Sequence, residues 1–82
     1  MAGEFKAGAD IRERWKREDE EAREIRRREA DWDFIRRQPP RIRMALECFI
    51  ECGDLYVASR VAGLSIDEFN ELRIKARIPV VV

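Results

Sequence analysis

Ala58-Ser59-Arg60-Val61-Ala62-Gly63-Leu64-Ser65-Ile66-Asp67-Glu68-Phe69-Asn70-Glu71-Leu72 carries two helical patterns joined by a tight turn. Ala58, Ser59 and Ala62 are small residues at the spacing where two helices approach closely. Gly63 supplies a turn conformation that side chains with a Cβ adopt poorly. Ser65 followed three residues later by Glu68 is a capping box, which starts the second helix. Leu64, Phe69 and Leu72 form the apolar wedge between the two. This is helix-turn-helix spacing, and it sets the fold class as all-α.

Outward from that stretch, the same logic extends in both directions. Gly53-Asp54 breaks one helix and caps the next, so Leu55 to Ala62 is a short helix of its own. Before it, Ile42, Ala45, Leu46, Phe49 and Ile50 fall at i, i+3, i+4, i+7 and i+8, a stripe that faces a core. Pro40 suits the first turn of that helix, and Pro39-Pro40 ends whatever precedes it. Downstream, Ile78-Pro79 closes the last helix, and Val80-Val81-Val82 is β-prone but too short to form a sheet. Residues 40–82 therefore read as a three-helix, helix-turn-helix-like unit with a short extended C-terminal tail.

Residues 10–38 have a different character. Between Asp10 and Arg37 there are ten Lys or Arg and ten Asp or Glu. Glu13 with Arg17, Asp19 with Arg23 and Glu24 with Arg28 stand four apart, each pair supporting a helix by about 0.2–0.5 kcal/mol. Asp10 is placed as its N-cap with Glu13 as the reciprocal partner, after a loose tail over 1–9. The spacing predicts one charged amphipathic helix, about 42 Å long at ~1.5 Å per residue. Its apolar residues Ile11, Trp15, Ala22, Ile25 and Trp32 follow steps of four and three, with Glu18 and Glu29 filling the gaps. That is a three-heptad seam weakened by two carboxylates. It serves either to bind a partner or second copy, or to pack on the chain's own second half. The two tryptophans favour an interface, where Trp is a common anchor.

Composition narrows the function classes. The chain has 82 residues, enough for one small domain, and 41% of them are charged. Seventeen basic residues balance seventeen acidic ones, so no net attraction to nucleic acid or anionic lipid is indicated. Abundant Arg and Glu with one Asn and one Gln match a thermophile pattern. No apolar run approaches a membrane span, and the charged start lacks the pattern of a secretory signal, so the expected location is cytoplasmic. Histidine is absent, no glycine-rich phosphate loop occurs and no nucleophile has a base at readable spacing, so no enzyme and no cofactor are expected. Cys48 and Cys52 stand four apart, which suits half a metal site, but no further Cys or His exists to complete one. They read as reduced, small apolar residues at the edge of a core, and no metal is expected.

As a DNA-binding element the helix-turn-helix is ambiguous. Ser65, Asn70, Arg73, Lys75 and Arg77 are the residues of its second helix and exit that suit a nucleic acid, and Asn70 suits an adenine edge. Asp67, Glu68 and Glu71 lie among them and would face phosphates repulsively.

Arg43 to Pro79, with Ala58-x-x-x-Ala62-Gly63-Leu64-Ser65-x-x-Glu68-Phe69-x-x-Leu72 and then Arg77-Ile78-Pro79, resembles small archaeal and cyanobacterial VapB-like antitoxins. Arg77 stands where that pattern has glycine. The resemblance implies a helix-turn-helix-like antitoxin or regulator, often paired with a PIN-domain ribonuclease toxin. The charged first half lies outside the pattern. The expected function is an antitoxin-like interaction module that engages its toxin through Ile11, Trp15, Ala22, Ile25 and Trp32, with Arg26, Arg27 and Arg28 as candidates to reach an acidic nuclease site. The alternatives are a dimeric DNA-binding regulator and a coiled-coil assembly protein.

Overall fold

The computed structural model describes the backbone of residues 2–81 and the side chains of residues 15–81. Five helices follow one another: α1 (Ala2–Glu29), α2 (Trp32–Arg36), α3 (Pro40–Cys52), α4 (Leu55–Ala62) and α5 (Ile66–Lys75). The all-α expectation holds across the described residues. The tail expected over 1–9, the Asp10 cap and the Ile11 anchor all fall at the start of α1, outside the described side chains.

The second half folds as its local signals direct. Pro40 opens α3, whose stripe buries Ala45, Leu46, Phe49 and Ile50, with Ile42 packed against them. Gly53 ends it in the left-handed conformation, φ 67°, and its N–H donates to the Phe49 carbonyl. Asp54 caps α4 by accepting from the Val57 N–H at 3.1 Å. Gly63, φ 72°, turns the chain, and the Ser65/Glu68 capping box starts α5 with both reciprocal bonds at 3.2 Å. Helix α4 lies between α3 and α5 in the packing order, touching both. Phe69 reaches Phe49 with ring centroids 6.1 Å apart and planes at 57°, a tilted aromatic pair at the centre of the core.

The charged helix is not continuous to Arg37. It stops at Glu29, and Ala30-Asp31 carries the chain into the short α2. Three interactions cause the break. Asp31 adopts extended backbone and its side chain accepts from the Phe34 N–H at 3.1 Å, so it caps a new helix rather than continuing the old one. Its own N–H donates to the Ala76 carbonyl at 2.7 Å, tying the junction to the far end of α5. Trp32 donates its indole N–H to the Arg27 carbonyl at 2.8 Å, satisfying one of the acceptors that a helix end leaves open. The break lets Ala30 and Ile35 enter the core beside α3. At the other end, Ala76 and Ile78 are buried and Val80-Val81 continues without helix or strand.

Candidate interaction surfaces

Helix α1 has two unequal parts. Every described side chain from Trp15 to Glu21 is exposed, and Trp15 leaves 62% of its surface in water. Docking begins at Ala22, and Arg26 is the first fully buried residue. The predicted seam is therefore divided between two environments. Trp15 is free. Ala22 and Ile25 are half-buried, and with Glu18, Asp19, Glu21 and Val81 they line an open groove of about 310 Å³. Trp32 is committed to the core and to the Arg27 carbonyl.

Arginines hold the α1–α3 junction. The α3 C-terminus presents carbonyls without helical partners and the negative end of its dipole. Arg26, only 6% exposed, donates from Nε to the Ile50 carbonyl at 2.8 Å and from Nη2 to the Glu51 carbonyl at 3.4 Å. Arg23 donates to the same Glu51 carbonyl at 3.1 Å, and Arg27 pairs with the Glu51 carboxylate at 2.6 Å. Burial, with the neighbouring Arg23 charge, lowers the Arg26 pKa below the usual guanidinium value, and Cys52, Asp19 and Glu51 act in the opposite direction. Arg41 repeats the device at the end of α4, donating to the Val61 carbonyl at 2.9 Å. In both places the guanidinium lies over the left-handed glycine. A Cβ on Gly53 would stand 2.9 Å from Arg26, and one on Gly63 would stand 2.8 Å from Arg41.

Sequence reasoning assigned none of these capping roles to Arg23, Arg26 or Arg41. Their carbonyl partners lie 20 to 28 residues away, and no local spacing announces them. Of the three arginines that are candidates to reach an outside acidic site, Arg26 is occupied inside the protein, Arg27 pairs with Glu51, and Arg28 is exposed beside Glu29.

The candidate nucleic-acid residues are likewise divided. The Ser65 hydroxyl accepts from the Glu68 N–H. Asn70 accepts from Arg73 Nε at 2.8 Å, and Arg73 Nη1 donates to the Ile78 carbonyl at 2.8 Å. That chain braces the exit of α5, where Arg77 holds a left-handed φ of 58°. The position where the resembled pattern has glycine is thus a left-handed turn occupied here by arginine. Lys75 and Arg77 remain exposed.

No family model, curated protein or solved structure matches this chain.

Cys48 is half-buried and Cys52 is exposed, with their Sγ atoms 4.0 Å apart. Burial pushes the Cys48 thiol above its ordinary 9.0, helped by Cys52 and by the negative charge of Asp54. The core-edge reading fits Cys48 and fails for Cys52, the last residue of α3, whose side chain is exposed. Among the described residues no three His, Cys, Asp or Glu side chains gather as a metal group. No helix among them is long and apolar enough to cross a membrane.

Proposed function

We propose that this chain is a protein-interaction module of the antitoxin type, engaging its partner through the exposed part of α1. The observation that carries this reading is Trp15, a large aromatic left 62% exposed on a helix segment whose described side chains from Trp15 to Glu21 are all exposed. Indole surface in water is costly, and burying it against a partner recovers roughly 25 cal/mol per Å². The resemblance of residues 43–79 to VapB-like antitoxins supports a PIN-type ribonuclease toxin as that partner. The partner-facing set is narrower than the seam suggests: Trp15 leads it, Ala22 and Ile25 flank it, and Trp32 supports it from within. The activity is one of binding, not catalysis.

A DNA-binding regulator is the second reading, favoured by the exposed Lys75 and Arg77 at the exit of α5. It loses force because Asn70 and Arg73 are engaged with each other and with the Ile78 carbonyl. The test is purification of the full chain from its native cells, wild type beside Trp15→Ala, followed by a ribonuclease assay on what co-purifies. Recovery of a nuclease that wild type inhibits and Trp15→Ala does not is the expected result. Recovery of DNA with salt-dependent affinity, and of no nuclease, would move the assignment to the regulator.

A further inference from the structure

The exposed part of α1 carries its charge in two blocks. Arg12 to Arg17 holds four basic residues and one acidic one, and Glu18 to Glu21 is acidic at every position. Among the described residues no ion pair joins the two blocks. The ion pairs of α1 use Arg23, Arg27 and Arg28, further along the helix. Charge of both signs is thus held out to solvent on the segment that exposes Trp15.

Trp15, Glu18, Ala22 and Ile25 follow one another at steps of three and four, so they share one face of α1. The last three, with Asp19, Glu21 and Val81, line the groove of about 310 Å³. That groove combines three apolar residues with three carboxylates. What fits it is an apolar anchor flanked by basic residues, and Trp15 between Arg14 and Lys16 is such an anchor. A chain cannot seat its own Trp15 there. Ala22 lies seven residues further along the same helix, about 10 Å away at ~1.5 Å per residue.

We propose that two copies of this chain pair through α1, antiparallel, with Trp15 of each seated in the groove of the other. The pairing is two-fold, so every contact is made twice and the assembly closes at a dimer. Setting Trp15 opposite Ala22 brings Arg12–Arg17 of one copy alongside Glu20–Ile25 of the other. Four basic residues and one acidic then face three acidic and one basic, with Lys16 near Glu21 and Arg17 near Glu20. A parallel pair sets each block on its own copy, and like charges across an interface are costly. Glu18 and Asp19 of the two copies meet at the axis, a like-charge contact that keeps the dimer weak. The overlap is also short, so the dissociation constant is expected at roughly 100 µM, and dilute solutions hold monomer. This pairing is a property of the chain by itself, separate from the toxin reading, and a toxin and a second copy compete for Trp15.

The experiment is sedimentation equilibrium of the full-length chain under reducing conditions, from about 10 µM to about 1 mM, which brackets that constant. A monomer–dimer equilibrium with no larger species is expected. Trp15→Ala should weaken it by about tenfold or more. Lys16→Glu with Arg17→Glu, and separately Glu20→Lys with Glu21→Lys, should each give monomer, because one sign of charge then dominates the segment. A parallel pair already sets like on like, so these reversals would not weaken it. Mixing the two double variants in equal amounts should restore a dimer holding one chain of each. Circular dichroism of every variant separates loss of pairing from loss of helix. Wild type that stays monomeric at the highest concentration overturns the proposal and leaves the toxin reading standing. A dimer indifferent to Trp15→Ala, or double variants that fold but do not pair on mixing, would overturn it as well.

Discussion

At the scale of single residues, two glycines and two arginines act as matched pairs. Gly63 needs the left-handed region, and Arg41 covers it closely enough that any Cβ meets the guanidinium. Gly63→Ala should therefore lose stability on two counts, about 1–2 kcal/mol from the backbone alone and more from the displaced arginine. A double-mutant cycle with Arg41→Ala, read by urea unfolding, should recover the second part and leave the first. The Cys48 thiol gives a pH prediction. Its pKa is raised in the fold, so the folded state keeps its proton where the unfolded chain has lost it. The contribution to stability is full below the ordinary value of 9.0 and is lost as pH rises through the folded value. Urea midpoints of wild type should fall more steeply above pH 9 than those of Cys48→Ala.

At the scale of elements, capping decides where helices begin, and tertiary bonds decide where one ends early. Asp31 does both, since its side chain starts α2 and its N–H holds the Ala76 carbonyl. Asp31→Ala should cost about 1 kcal/mol through the lost cap, because the backbone bond to Ala76 survives the substitution. Thermal unfolding followed at the far ultraviolet reads this directly, and a loss near zero would show that α2 holds its start without the side chain. Ser65 and Asp54 occupy equivalent positions at α5 and α4, and the sequence marked both as helix starts.

At the scale of the whole molecule, the two tryptophans separate binding from folding. Trp32 packs on the core and closes the α1 C-terminus, so Trp32→Ala should lower stability by about 2–3 kcal/mol, somewhat less than a fully buried aromatic. Trp15 packs on nothing described, so Trp15→Ala should leave the unfolding midpoint within about 0.5 kcal/mol of wild type. Paired melts of the two variants check this. A stability loss at Trp15 as large as that at Trp32 would mean that the α1 N-terminal segment docks on its own chain.

The sequence by itself determined the helices of the second half, their caps at Asp54 and Ser65, the left-handed exits at Gly53 and Gly63, and the stripe from Ile42 to Ile50. These signals are local: a cap or turn is written within four residues of where it acts. It also marked Trp15 and Trp32 as unusual on a charged helix. Only the tertiary structure decided that the two differ, that the helix breaks at Ala30-Asp31, and that Arg26 and Arg41 close helices 20 or more residues away. Carbonyls at a helix end and the guanidinium that reaches them share no periodicity, so their pairing exists only once the chain has folded.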